Sequence, residues 1–431
     1  MKLCKVVLIF CLSLIALALL TACGAEHTHE FGEWQMLKNP TCNEKGERAR
    51  FCECGMSLKE SVPITDHNYV DYVCSFCGDK FFSDGLSFSS NGDGTCYVSW
   101  IGACKDSEIN VPLTSPAGDT VTAIGDRAFE QCYGITKVTI PSSVTRIGDY
   151  AFFECCLLNS VELPDSITSV GIYAFSSCSS LTGITIPSSV TSIGEAAFAD
   201  CYSLVEVCNK SGLTILPGSN LSGFAGYYAK NVIWEESQSN LKKVDDYVFY
   251  DDGKEVVLVK YIGREKNITL PQYTNGKQYI IGEKAFYLPR VTNDLSTITS
   301  VKIPECVQSI GKNAFSGCSS LTTLVICDGV TNIGDGAFSD CRALTNVSLG
   351  ASVTSIGASA FARCNSLNKI LIPNSVVTVG ENAFTGLGQR PDGTTPKVVY
   401  YTGTEEEWET LKNNNENCGL FLAYFNYVPE E

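Results

Sequence analysis

One 23-residue unit recurs along the chain, and its clearest copy is LTGITIPSSVTSIGEAAFADC at residues 181–201. Each copy contains the motif IGxxAF, with valine for isoleucine at Val170 and Val379. Its phenylalanines are 23 residues apart within two runs: Phe129, Phe152, Phe175 and Phe198, then Phe315, Phe338, Phe361 and Phe384. One unit buries about six apolar side chains at about 2 kcal/mol each, whereas ordering its backbone costs about 1–2 kcal/mol per residue. A single copy therefore cannot fold alone, and neighbouring copies must cover each other. This predicts a solenoid, and the period is typical of leucine-rich repeats.

Within the clearest copy, LTGITI matches the pattern L-x-x-L-x-L, which places Leu181, Ile184 and Ile186 inside and the residues between them outside. Pro187 cannot donate to a strand ladder, so the strand ends there. SVTSI then predicts a second short strand, and EAAFADC predicts a helical turn that buries its phenylalanine. The predicted fold class is a β-rich repeat solenoid with short helical turns.

A cysteine follows seven of these phenylalanines after three residues: Cys132, Cys155, Cys178, Cys201, Cys318, Cys341 and Cys364. A reactive thiol needs a positive field or a base, and no histidine lies beyond His67. We therefore predict small buried thiols rather than catalytic groups. Whether some pairs form disulfides between neighbouring copies stays open.

The remaining segments divide the chain around the repeats. Residues 96–129 and 256–286 align with each other as strand-rich opening segments, so the block is duplicated. Thr404 and Glu407 form a capping box that predicts a helix from about Glu405 to Lys412, with a strand near residues 421–427. The predicted divisions are a signal peptide (1–22), a Cys/His-rich module with linker (23–80), a first opening segment and stack (81–207), a bridging segment (208–255), a second opening segment and stack (256–400), and a C-terminal cap (401–431).

The N-terminus has the pattern of a secretory signal. Lys2 and Lys5 precede an apolar run over residues 6–20, which is short for a membrane span. The tetrapeptide LTAC at residues 20–23 resembles the lipobox of bacterial lipoproteins, which implies a lipid on Cys23 and attachment to the outer face of a bacterial membrane. Ordinary signal cleavage is the alternative.

Residues 26–80 hold every histidine of the protein and two close cysteine pairs. Cys52 with Cys54, and Cys74 with Cys77, each precede a glycine and offer four thiolates to a structural zinc, although the first pair is tighter than C-x2-C. A disulfide-stapled spacer is the alternative, since so short a segment has little core. No other cofactor is predicted.

The unit LTxhxIPxSVTxIGxxAFxxC resembles the BspA-like leucine-rich repeat proteins of bacterial and some protist surfaces. The likeness covers residues 85–431, with eight copies in register and a partial ninth at Phe286, where Pro289 stands in the cysteine position. The resemblance implies a cell-surface protein of adhesion, host binding or interbacterial contact. It does not name a ligand.

The outward strand positions predict a ladder of short polar side chains that suits a protein or glycan partner. Its members are Thr136, Lys137, Thr139, Asn159, Ser160, Glu162, Thr182, Thr185, Thr299, Ser300, Lys302, Thr322, Thr323, Val325, Thr345, Asn346, Ser348, Asn368, Lys369 and Leu371. Alternatively, threonine and serine stand there because they favour strands and keep them soluble. The formal net charge of −16 disfavours nucleic acid as a partner, and we expect a monomer.

An extracellular hydrolase or metal-dependent enzyme, with its site in the N-terminal module, is the alternative function. The repeats lack histidine, and the carboxylate pair Asp251 and Asp252 lies in a turn without a recognisable pocket. The sequence therefore favours a non-enzymatic binding protein.

Overall fold

The computed structural model describes residues 30–38, 45–52, 57–62, 69–70, 73–74, 82–273, 276–287, 298–367, 369–387 and 399–414. The chain forms two compact units, Met1–Phe81 and Phe82–Glu431. In the first unit, β1 (Gln35–Lys38), β2 (Gly46–Phe51) and β3 (Ser57–Val62) form an antiparallel sheet, and β4 (Tyr69–Val70) pairs with β5 (Val73–Cys74).

The second unit contains two stacks, each with one back sheet and a row of front strands; this row, called the front sheet, divides into two hydrogen-bonded groups in each stack. In the first stack the front strands are β8 (Glu108–Asn110), β10 (Lys137–Thr139), β12 (Ser160–Glu162), β14 (Gly183–Ile186), β16 (Glu206–Asn209) and β17 (Asn231–Ile233). The six-stranded back sheet comprises β6 (Ser87–Ser90), β7 (Thr95–Trp100), β9 (Thr120–Ile124), β11 (Arg146–Ile147), β13 (Ser169–Val170) and β15 (Ser192–Ile193). Apart from the antiparallel pair of β6 and β7, these strands pair in parallel.

The second stack repeats this plan. Its front strands are β21 (Asn267–Thr269), β23 (Ser300–Ile303), β25 (Thr323–Ile326), β27 (Asn346–Ser348), β29 (Ile370–Ile372) and β31 (Val399–Tyr401). Its eight-stranded back sheet comprises β18 (Leu241–Val244), β19 (Tyr247–Asp251), β20 (Val256–Tyr261), β22 (Tyr279–Ile281), β24 (Val307–Ile310), β26 (Asn332–Ile333), β28 (Ser355–Ile356) and β30 (Thr378–Val379). Two short 3-10 helices, Ser222–Phe224 and Glu236–Gln238, lie in the bridging segment.

Stacked phenylalanines run through the core of each stack. In the first stack the rings of Phe129, Phe152, Phe175 and Phe198 are nearly parallel, with centroids 5.1, 5.1 and 5.3 Å apart. In the second stack the column runs from Phe286 to Phe384 with spacings of 4.3 to 5.8 Å. These rings are at most 3% exposed, so each copy buries its phenylalanine against its neighbours. The predicted solenoid is confirmed.

The segment around each phenylalanine forms successive tight turns. The amide of Ala199 donates to the carbonyl of Ala196 at 3.0 Å, as in a short helical turn. Residues two before and two after the phenylalanine have positive φ, for example 50° at Ala196 and 57° at Asp200, which stops a longer helix. The freed amides bond to the next copy, as when the Phe175 amide donates to the Ala197 carbonyl at 2.7 Å.

The C-terminal helix α1 (Glu405–Asn414) closes the second stack. The Thr404 amide donates to the Glu407 carboxylate at 2.8 Å, and the Glu407 amide donates to the Thr404 hydroxyl at 3.2 Å. This confirms the capping box, and the buried Trp408 extends the hydrophobic core. The strand predicted near residues 421–427 lies outside the described residues.

The two stacks have separate hydrophobic cores and separate sheets. A third small cluster joins them, in which Val205 of the first stack packs with Tyr250, Val257 and Val259 of the second. The outer face of β20 therefore lies against the first stack, and the second stack starts a new sheet instead of extending the old one.

Candidate binding surface

The threonines that precede the front strands are engaged with the backbone. The Thr322 hydroxyl donates to the Thr299 carbonyl at 2.9 Å, and the Thr345 hydroxyl donates to the Thr322 carbonyl at 3.2 Å. Thr136 and Thr299 donate in the same way to Ser107 and Lys266. These hydroxyls therefore satisfy carbonyls of the neighbouring copy, a structural role that sequence reasoning did not assign to them.

The ladder of the first stack is partly covered by the chain itself. Residues 234–241 fold back over it, so that Leu241 packs against Gly183, and the Thr185 hydroxyl donates to Glu236 at 3.3 Å. Thr182 was predicted to face outward on an open surface, but it is only 8% exposed. The covering segment lies some 50 residues beyond Thr185 along the chain, so the repeat pattern could not predict it.

Elsewhere in the first ladder, a lysine and a glutamate pair with each other, and other residues face the second stack. The Lys137 ammonium lies 3.2 Å from the Glu162 carboxylate of the next strand, and Thr139 is half-buried. Thr136 and Asn159 line a cavity between the stacks. The first ladder thus offers less free surface than its sequence predicted.

The ladder of the second stack is more open, and we call six of its residues the open ladder: Lys302, Thr323, Val325, Ser348, Lys369 and Leu371. Lys302, Ser348 and Lys369 are exposed, and Leu371 is 41% exposed. The strands that carry them contain no aspartate or glutamate. Asn368, predicted in the same ladder, lies outside the described residues.

The bridging segment exposes several large apolar side chains that sequence reasoning did not single out. Leu216, Leu221, Tyr227 and Trp234 are all exposed, Trp234 at 64%. The ring of Tyr227 packs edge-on to that of Tyr228, with centroids 4.8 Å apart. The density of aromatic residues in GFAGYY, at residues 223–228, was the available signal.

A cavity of about 50 Å³ between the stacks is lined by Lys260, which is 1% exposed. Its ammonium donates to the Tyr287 carbonyl at 2.9 Å. Burial lowers the pKa of Lys260 from 10.5 to about 8. The sequence signal was a lysine inside the apolar run VVLVKY, at residues 256–261.

The column of cysteines is buried, as predicted, except that Cys132 is half-buried. The Cys155 thiol donates to the Phe129 carbonyl at 3.0 Å, and the Cys341 thiol to that of Phe315 at 3.3 Å. Burial raises the pKa of the Cys364 thiol to about 12, so the thiolate form is disfavoured. No disulfide joins two of the cysteines whose side chains are described.

Asp251 serves the structure of the second opening segment. Its carboxylate accepts hydrogen bonds from Lys242 and the Tyr273 hydroxyl, each at 3.0 Å, and from the Gly253 amide, also at 3.0 Å. Burial alone raises its pKa, but these hydrogen bonds outweigh burial and the pKa falls from 3.8 to about 2. The carboxylate therefore stays ionised and anchors strands, and Asp252 caps the following turn at the Lys254 amide.

Among the described residues, no group of three or more histidine, cysteine, aspartate or glutamate side chains is placed to hold a metal. Cys52 is buried in the first unit, and Cys74 ends β5. Cys54, Cys77 and the predicted lipid-bearing Cys23 lie outside the described residues. No helix in the described part of the chain has the length and hydropathy that crossing a membrane requires.

Together, the stacked copies and their strands define a leucine-rich repeat solenoid whose sheets expose a broad surface. A family model described as the BspA type leucine-rich repeat region (6 copies) matches residues 122–255 and 279–390, more than half of the chain. The chain belongs to this family.

Several solved bacterial proteins are similar to the chain. A leucine-rich cell surface protein from Faecalibacterium prausnitzii is 22% identical, with 76% of this chain and 96% of that one covered and a TM-score of 0.31. A leucine-rich repeat protein from Bacteroides ovatus is 23% identical (80% and 99% covered, TM-score 0.28). The pneumococcal vaccine antigen PcpA is 16% identical (81% and 98% covered, TM-score 0.31). Comparison with curated protein sequences yields no match.

Proposed function

We propose that this protein is a non-enzymatic surface lipoprotein that binds a protein or glycan partner through the open ladder. The observation that carries the proposal is the contrast between the two front sheets. The first is covered by residues 234–241 and neutralised at Lys137 and Glu162, whereas the second presents exposed lysine, hydroxyl and apolar side chains on a regular surface.

The chemistry of the described residues supports binding over catalysis. Most of the cysteine column is buried, Asp251 is held by four donors, and Lys260 lies against a carbonyl. A catalytic site needs a nucleophile or base with a reachable substrate position. A flat sheet instead suits a macromolecular surface with a comparable flat face. Attachment through a lipid on Cys23 would place this sheet outside the cell.

The test is a binding screen of the full mature chain against extracellular matrix proteins, glycans and whole bacterial cells. The variant Thr323→Glu with Ser348→Glu adds two charges to the open ladder and should abolish binding of any partner found. The matched control Gln308→Glu with Thr378→Glu adds the same charge to the back sheet of the same stack, where both residues are exposed.

Equal circular dichroism spectra and unfolding midpoints would show that both variants fold. Binding that survives in the ladder variant, or that is lost only in the back-sheet variant, would contradict the proposed surface. The lipid is tested separately by metabolic labelling with a fatty acid, which Cys23→Ser should prevent.

A further inference from the structure

The covering segment of the first stack shows what the front sheet can hold. The Glu236 carboxylate accepts hydrogen bonds from the Thr185 hydroxyl at 3.3 Å and from the Lys210 ammonium at 3.0 Å. The hydrogen bond from Lys210 lowers the pKa of Glu236. An acidic stretch of polypeptide, WEES at residues 234–237, is thus held on this sheet by the hydroxyl of Thr185 and by the ammonium of Lys210, which directly follows β16.

The open ladder offers the same donors without a carboxylate of its own. Lys302 stands in the second stack at the strand position that Thr185 has in the first, and hydroxyls follow at Thr323 and Ser348. Neither Lys302 nor Lys369 forms an ion pair with any described residue. The Lys369 ammonium lies 4.6 Å from the ring centre of Tyr400, which holds it at the surface.

The lysines of this patch are not offset by acidic residues on the same strands. The formal net charge is −16, yet the strands that carry the open ladder contain no acidic residue. In the first stack the corresponding lysine, Lys137, is paired with Glu162. The ammonium groups of Lys302 and Lys369, which pair with no described carboxylate, lie near the half-buried Val325 and the exposed Leu371, and they are complementary to carboxylates with apolar residues between them.

We propose that the open ladder docks an acidic peptide segment of a partner protein, in the way that residues 234–241 lie on the first ladder. This inference rests on the proposed function and specifies the chemistry of the partner. Lys302 and Lys369 are three strands apart and offset by two residues along the strand, or about 16 Å, which an extended peptide spans in about four to five residues. The bound segment therefore carries acidic residues about four to five positions apart with apolar side chains between them.

The experiment measures fluorescence anisotropy of a labelled peptide with two glutamates about four to five residues apart and valines between them, titrated with the full chain. A peptide with glutamine at both positions is the first control. The glutamate peptide should bind more tightly, and its affinity should fall as sodium chloride is raised, because exposed charge pairs are screened. Lys302→Gln with Lys369→Gln should weaken binding by about 5- to 20-fold.

The variant Lys254→Gln with Lys312→Gln removes the same charge from exposed turns away from the front sheet, and should bind within about twofold of the parent. Equal affinity for both peptides, or unchanged affinity in the Lys302 and Lys369 variant, would overturn the inference. Hyaluronate is the acidic-glycan probe, and binding of hyaluronate but not of the peptide through these lysines would also overturn it.

Failure of the inference can be told apart from failure of the proposed function. If the peptide does not bind but a partner from the screen is lost in the Thr323 and Ser348 variant, the binding function stands and only the acidic-peptide chemistry falls. If the ladder variant retains every partner, both fall.

Discussion

Removal of one ring from the phenylalanine column should cost more inside a stack than at its end. Phe175 is fully buried, and its ring stacks on Phe152 at 5.1 Å and on Phe198 at 5.3 Å. Phe384, at the C-terminal end of the described column, stacks on Phe361 at 5.8 Å. A buried phenylalanine-to-alanine change costs about 3–5 kcal/mol, and each stacked ring pair is worth about 0.5–1.5 kcal/mol of it. We expect Phe175→Ala to lower the free energy of unfolding by about 4–5 kcal/mol, and Phe384→Ala to lower it by about 1 kcal/mol less.

Urea unfolding followed by circular dichroism measures the loss, and hydrogen exchange locates it. The amide of Phe175 bonds to the Ala197 carbonyl, so its protection should fall first in the Phe175→Ala variant. The matched control is Phe153→Ala, because Phe153 is only half-buried and lies one residue from Phe152. If Phe153→Ala destabilises the chain as much as Phe175→Ala, the ring column does not hold the stack together.

Two further predictions concern buried charges and depend on pH. Lys260→Met should stabilise the chain by about 1–3 kcal/mol at pH 7, because a folded-state pKa of about 8, below 10.5, means that a buried charge is a cost. That cost is complete below about pH 8 and disappears as the pH approaches 10.5. The difference in unfolding free energy between variant and parent, measured in urea, should therefore be smaller at pH 10 than at pH 7. A difference that stays constant would contradict the prediction. Asp251→Asn should lower the free energy of unfolding by about 2 kcal/mol at pH 7, because hydrogen bonds from Lys242 and Tyr273 lower the pKa of Asp251 to about 2 in the parent. This stabilisation is complete above about pH 3.8 and is lost as the pH falls through 2, so the parent and variant should converge in acid; persistence of the gap at pH 2 would refute it.

The periodic part of the fold could be predicted because each copy contains the residues that determine its own strands and turns. The apolar positions, the proline that ends the front strand and the glycine of IGxxAF recur at 23 residues, and strand partners such as Ile147 and Val170 are 23 residues apart. Glycine is required at that place because a Cβ on Gly171 would lie 2.5 Å from the carbonyl carbon of Gly148. The helix cap at Thr404 could also be predicted, because its partner Glu407 is only three residues away.

What could not be predicted depends on contacts that the period does not encode. The bond between Thr185 and Glu236 joins residues 51 apart, and Val205 meets Val257 across the joint between stacks. The role of Thr322 was missed for another reason: its hydroxyl could point to solvent or back to a carbonyl, and strand propensity is the same in both cases.

The duplicated architecture explains why the two front sheets differ in what they expose. A solenoid has an open edge at each end, and unpaired strand edges invite further pairing. Where the first stack ends, β17 adds one last parallel strand, and the chain then turns back across the front sheet before β18 starts the second stack. That return covers the first ladder at Gly183 and Thr185. Among the described residues, the second stack is closed instead by β31 and α1, and the open ladder on its front strands stays exposed or half-buried. The way each stack is terminated, more than the composition of its repeats, therefore decides which sheet has area left for a partner.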